Sequence, residues 1–188
     1  MAKNPKGVNQ LTDSLFFDTD CLSAFLWVGR ESLLVKLYPG EVMIPRQVYG
    51  ELSSPGVPQL KAGIDTLLLQ KQVAIVDIEI GTEASDLYYT LSVSPSRGHA
   101  VIGKGEAASI ALAKTTGGIV ASNNLRDIFS YIEEFSLRHV TTGDILAEAF
   151  DKQYITENQG NAIWASMLSK RRKLGENTFS DYLLSKRT

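Results

Sequence analysis

The chain has 188 residues, 44% of them hydrophobic, with 19 basic and 21 acidic side chains and a net charge of −2. That length and apolar content suit one compact domain that buries a full core without disulfides or structural metal. The near-neutral balance excludes a strongly basic nucleic-acid-coating protein but not a nuclease, whose central acids mask a basic rim in the total.

Cys21 is the sole cysteine, so no intrachain disulfide can form. The opening MAKNPKGVNQLTD lacks the apolar stretch of a signal peptide, and no run reaches the roughly 18 apolar residues of a membrane span. The expectation is a soluble protein of the reducing cytoplasm.

In chain order, residues 1–12 are polar and expected to fray. SLFFD (14–18) reads as a short buried strand. Leu22, Phe25, Leu26, Leu33, Leu34 and Leu37 then recur at helical spacing until Tyr38-Pro39-Gly40 stops the pattern. EVMIP (41–45) is the second strand, and Pro45 falls in the first turn of the helix RQVYGEL. After the loop SSPGVP (53–58), residues 59–70 return to helical spacing, and VAIVDI (73–78) is the third strand. Residues 82–92 form another helix, SPSRGHAVIGKG (94–105) is loop-like, and EAASIALAKT (106–115) is a strong helix former. GGIVAS (117–122) supplies the fourth strand after a glycine helix stop. NLRDIFSYIEEF is helical, LRHVTT is a fifth short strand, and GDILAEAF starts a helix with Thr142 or Asp144 as its cap. Residues 151–188 add a helical extension whose apolar positions (Ile155, Ile163, Trp164, Met167, Leu168, Phe179, Tyr182 and Leu183) pack on the domain or on a partner. This alternation predicts an α/β three-layer sandwich around a mainly parallel sheet.

The informative feature is the placement of acids beside apolar elements. Asp18 closes the first strand, and strand C-termini of a parallel sheet line the functional crevice. Asp20 follows in DTD, Glu51 sits near the end of the helix after strand two, Glu106 begins the helix after GKG, and Asp127 lies five residues past Ser122. Each has an ordinary explanation when taken alone. Asp18 and Asp20 suit helix caps, Glu51 and Asp127 suit solvent-facing helix positions, and Glu106 suits a helix N-terminus. Together at one sheet edge, such carboxylates repel unless protonated or bridged by a cation. An all-oxygen site selects Mg²⁺ or Mn²⁺, the ions suited to phosphodiester hydrolysis.

In FFDTDCLSAFL, VMIPRQVYGEL (42–52), GKGEAASIALA (103–113), IVASNNLRDI (119–128) and LRHVTTGDILAEAF (137–150), the chain resembles the PIN-domain family. More narrowly, it resembles the ribonuclease toxins of bacterial and archaeal toxin–antitoxin modules. The resemblance spans residues 14–150, which it marks as a PIN-like nuclease domain. It implies metal ligation and catalysis by Asp18, Glu51 and Glu106, with Asp20 as an accessory group. Many members carry an aspartate directly after the strand that here reads IVAS, where this chain has Asn123 and Asn124. Others have a polar–asparagine–two residues–aspartate pattern, which Asn124-Leu125-Arg126-Asp127 fits. The fourth acid is therefore assigned to Asp127, with Asn124 orienting it or touching substrate.

Lys104, Arg97 and His99 precede Glu106 and are placed to meet phosphate, although a solvated loop is the commoner fate. Lys170, Arg171, Arg172 and Lys173 form the most basic run, able to guide RNA by phosphate contacts, although a charged, solvated helix end is the commoner explanation. Tyr88, Tyr89 and Trp164 are able to stack on bases but at helical spacing are more often core. His99 and His139 lack ligand spacing, GKGE lacks the context of a dinucleotide fingerprint, and no serine or cysteine triad stands out.

The expected function is metal-dependent endoribonuclease action with Mg²⁺ or Mn²⁺, in which water attacks in line and leaves 5′-phosphate and 3′-hydroxyl ends. The resemblance adds a cognate antitoxin and a homodimer as expected partners. Two rival expectations are a catalytically impaired module that binds RNA or protein, favoured by Asn123 and Asn124, and a metal-dependent phosphoesterase acting on DNA.

Overall fold

The computed structural model describes residues 14–95 and 99–186. Residues 1–12 and Arg97 lie outside them.

Five short strands form one all-parallel sheet: β1 (Leu15–Phe17), β2 (Val42–Pro45), β3 (Ala74–Val76), β4 (Ile119–Ala121) and β5 (Arg138–Val140). Their order is β3-β2-β1-β4-β5. The chain runs outward from the centre to β3, then returns to lay β4 on the other side of β1, in register Leu15–Ile119, Phe16–Val120 and Phe17–Ala121. The direction of progress reverses between β1 and β4, the place where parallel sheets open a crevice at their strand C-termini.

The three central strands, β1, β2 and β4, are buried on both faces, while the edge strands β3 and β5 are partly exposed. Leu15, Phe17, Val42, Ile44 and Ala121 face one core cluster, while Phe16 and Val120 face a second. That period-two split between two apolar layers is what a sheet covered by helices on both sides requires. The first cluster lies against α1 (Thr19–Trp27), α2 (Glu31–Leu37), α3 (Arg46–Leu52), α4 (Pro58–Leu69), α8 (Thr142–Asp151), α9 (Glu157–Ser169) and α10 (Phe179–Ser185). The second lies against α5 (Glu83–Ser92), α6 (Lys104–Thr116) and α7 (Leu125–Glu134). The α/β three-layer sandwich expected from sequence is the architecture observed.

Three local expectations change. The helical pattern through Leu37 is two helices, because Gly29 adopts φ +62° and Arg30 N–H bonds back to Phe25 O, which closes α1. Pro45 ends β2 and caps α3 rather than lying inside it. The cap of α8 is Thr141, whose hydroxyl accepts from Asp144 N–H while Asp144 Oδ2 accepts from Thr141 N–H.

The extension belongs to the first core. Trp164 and Phe179 are fully buried there, and the Trp164 indole N–H donates to Glu176 O at 3.0 Å. Trp164 is thus a core residue rather than a base-stacking surface. Of the apolar extension positions, Leu168 remains 38% exposed. Among the described residues, no helix is long and apolar enough to cross a membrane.

Candidate functional site

Asp18 stands one residue past β1, where its N–H extends the ladder to Ala121 O. Its side chain caps α1 through Oδ1, which accepts from Cys21 N–H at 2.7 Å. The ordinary role of a helix cap is therefore real for one oxygen. The other, Oδ2, is buried without a well-formed hydrogen bond. The residue is 1% exposed. Burial pushes its carboxyl up to about 7, against the lowering influence of the Ser122 hydroxyl and the Cys21 N–H, and Asp20 and Glu106 add repulsion.

Two neighbouring helices bring further acids to this point. The α6 helix is pinned to the end of β1 by Ser109, whose hydroxyl lies 3.0 Å from Phe17 O. It begins at Lys104, so Glu106 occupies the third helical position. There Glu106 Oε2 accepts from Gly103 N–H at 2.8 Å, and Oε1 accepts from the Asn124 amide at 2.6 Å. Glu51, on α3, accepts from the Thr19 hydroxyl through Oε2.

The glycines of GKGE are explained by these contacts. A Cβ on Gly103 would stand 2.7 Å from Glu106 Oε2. A Cβ on Gly105 would stand 2.8 Å from the Thr19 hydroxyl and 3.2 Å from Glu51 Oε2.

Asp18, Asp20, Glu51 and Glu106 thus line one cleft of about 240 Å³, together with Thr19, Ser23 and Arg172. Asp127 lies in an adjoining cleft of about 410 Å³ that shares Asp20, Glu106 and Arg172. Asn124 joins the two clefts, since its amide nitrogen donates to Glu106 and, at 2.8 Å, to Asp127 Oδ2.

The adjacent Asn123 does something else. Its Oδ1 accepts from Thr142 N–H at 2.8 Å and its Nδ2 donates to Thr142 Oγ at 2.9 Å, so both polar atoms of its amide are spent on the first turn of α8. Asp20 does not cap a helix at 21–28. It lies in the first turn of α1 and pairs with Arg172 at 3.2 Å.

The remaining sequence candidates fall elsewhere. Lys104 is exposed at the start of α6 and lines neither cleft. His99 pairs with Glu134 at 3.0 Å and stacks on Tyr131. His139 bonds to Ser122 O at 2.9 Å, a structural role, and burial lowers its pKa. Cys21 is fully buried and burial pushes its thiol up, which removes it as a nucleophile.

Sequence reasoning missed Arg172 and Thr19 as cleft residues. Arg172 sat in the noted basic run, but nothing local signals that it reaches a residue 152 positions earlier.

The donor chemistry of the first cleft fits a hard divalent cation. Its acidic and hydroxyl groups offer only oxygen, and Asp18 Oδ2 is a buried carboxylate oxygen without a well-formed hydrogen bond. Among the described residues, however, no group of three or more His, Cys, Asp or Glu side chains is arranged to hold a metal ion. Glu51, Glu106 and Asp127 each spend oxygens on protein hydrogen bonds. No protein-family model matches this chain, and no curated protein matches it.

Proposed function

We propose that the protein is a metal-dependent endoribonuclease of the PIN type, acting in the cytoplasm, with Asp18, Glu51, Glu106 and Asp127 as its acid set. The observation that carries this reading is the fully buried Asp18 carboxyl, whose Oδ2 makes no well-formed hydrogen bond, in a cleft shared with Glu51 and Glu106. A carboxylate oxygen hidden from water without a donor is costly unless a proton or a cation meets it.

Mg²⁺ or Mn²⁺, when bound, supplies charge neutralisation at the phosphate and a more acidic water. Asp18, Glu51 and Glu106 would hold it. Asn124 fixes the direction of Glu106 and Asp127, and the outer hydrogen bonds of Thr19 and Gly103 fix Glu51 and Glu106. A toxin role with a cognate antitoxin, and homodimerisation, belong to the same proposal through the family resemblance alone.

A second reading is a binding module with an impaired site. Its support is that all four acids accept hydrogen bonds within the protein and that no ion-holding group is formed among the described residues.

Calorimetric titration with Mn²⁺ followed by cleavage assays on single-stranded RNA, single-stranded DNA and flap substrates separates the readings. The nuclease reading expects Mn²⁺ binding and RNA cleavage that are both abolished by Asp18→Asn. Full activity in that variant would sink it. Metal binding without cleavage favours the second reading, and preference for DNA points to a phosphoesterase of another substrate class.

A further inference from the structure

An acid cleft repels the polyanion it is proposed to cut, so a phosphodiester strand needs fixed cations at the rim. The structure supplies three cations in succession, Arg171, Arg172 and Lys173, of which Arg172 is held in place. α9 ends in a turn in which Arg171 takes φ +59°, with Arg171 N–H bonding to Leu168 O and Arg172 N–H to Met167 O. Helices α4, α7 and α9 and the end of α8 all close this way at non-glycine residues, so the turn itself is ordinary. Its effect here is to deliver Arg172 to the acids.

Arg172 is then held from behind. Its Nε donates to Lys170 O at 3.1 Å, and its Nη1 lies 3.2 Å from both Asp20 Oδ1 and Ser23 Oγ. Nη2 makes no hydrogen bond among the described residues, and the side chain keeps 25% exposure. A guanidinium fixed on one edge with its remaining donors unspent is preorganised for an oxyanion. Arg172 lines both clefts, touching the space of Asp18 and Glu51 on one side and of Asp127 on the other. Arg171 and Lys173 are exposed, line the second cleft, and form no ion pair among the described residues.

We infer that residues 171–173 form a phosphate-binding arm, in which Arg172 grips the phosphodiester backbone of a single strand laid across the two acid clefts. The inference rests on the nuclease reading for its choice of ligand, yet it is a claim about binding and is tested apart from cleavage.

The probe is a short fluorescein-labelled RNA strand, and the same sequence as DNA. Anisotropy is read in EDTA from about 50 to 200 mM KCl, with Mn²⁺-dependent cleavage recorded separately. The Arg172→Gln variant should lose about tenfold in affinity at low salt and about 0.7 from the salt slope for either strand, with its melting temperature preserved. The R171Q/K173Q pair, whose side chains are exposed, should also flatten the slope and serves if R172Q folds poorly. K152Q, at the C-cap of α8 and lining neither cleft, should change nothing.

The double variant D20N/R172Q separates a phosphate contact from mere neutralisation of Asp20, and it should stay weak. Wild-type affinity in R172Q, tighter binding in R172Q, recovery in the double variant, or no binding of either strand by the wild type each overturns the arm. Cleavage by wild type with R172Q binding unchanged sinks the arm and leaves the nuclease. Arg172-dependent binding with no cleavage does the reverse.

Discussion

The amide nitrogen of Asn124 lies 2.6 Å from Glu106 Oε1, so the loop after β4 reaches the first turn of α6 and fixes an acid there. The same nitrogen holds Asp127 at 2.8 Å. One neutral donor therefore sets the spacing of two carboxylates that would otherwise repel. Asn124→Ala should free both and lower Mn²⁺ affinity and cleavage by roughly 10–100-fold, the usual loss when a ligand's supporting hydrogen bond is removed. Wild-type affinity by calorimetry would show that the bridge is incidental.

Asn123→Asp places a carboxylate where many PIN-domain proteins have one, yet it should not raise cleavage more than about twofold. The side chain is turned to Thr142, whose N–H it accepts, so the new charge sits on the N-terminus of α8 rather than with Glu106. Stability in urea should stay within about 1 kcal/mol of wild type, because the lost Nδ2 donor is offset by the helix terminus. A large gain in cleavage would mean that position 123 belongs to the acid set.

Gly105→Ala should damage the site more than the fold. The added methyl meets the Thr19 hydroxyl and the Glu51 carboxylate that it holds, and it also meets Val48 at 3.2 Å. Overpacking of this kind costs about 1–3 kcal/mol. The expected signature is a larger proportional loss of Mn²⁺ binding than of thermal stability, read by calorimetry and melting on the same sample.

Asp18 gives the chain a pH dependence of definite sign. Its folded carboxyl titrates at about 7, above the ordinary 3.8. Between those values the folded chain carries the proton and the unfolded chain does not. This group's stabilisation is full below the ordinary value and is lost as pH rises through 7, by an amount on the order of a few kcal/mol. Asp18→Asn should flatten that part of the profile and be more stable than wild type near pH 8. Mn²⁺ should stabilise the wild type more near pH 8 than near pH 5.5, since the ion requires the carboxylate, and should not stabilise the variant. Equal pH profiles for the two proteins in thermal melts would contradict the burial argument.

Lys71 sits at φ +55° just past α4, a conformation costly for a side chain bearing Cβ. Lys71→Gly relieves that cost but adds freedom to the unfolded chain, leaving a net gain of up to about 1 kcal/mol. A shift of the urea midpoint to higher concentration with unchanged slope checks it.

The sheet was readable because short apolar runs alternate with helically spaced segments, a pattern that a buried parallel sheet requires. Phe16 shows why it stops there. It faces the opposite core from Leu15 and Phe17, as strand alternation requires, but no local rule says which helices cover which face. Asp18 and Glu51 were readable from their places after β1 and β2, and Glu106 from its place at a helix start after a glycine-rich loop. The cap at Thr141 was also present in the sequence as a threonine three residues before Asp144, just ahead of the two candidates Thr142 and Asp144. Arg172 and the different duties of Asn123 and Asn124 were not readable. They depend on where a side chain points after the chain has travelled through β5, α8 and α9, and side-chain direction at that range is a property of packing.

The burial of Trp164 and Phe179 among strand residues has a consequence for how the protein is made. Synthesis proceeds from β1 toward α10, so the sheet and its acids leave the ribosome before the helices that complete their core. Until α9 emerges and closes its last turn, Asp20 lacks the arginine that pairs with it, and the first core lacks its largest side chain. The nascent protein therefore presents Asp20 without its arginine, which arrives after Trp164 and shortly before Phe179, the last large side chain of the core.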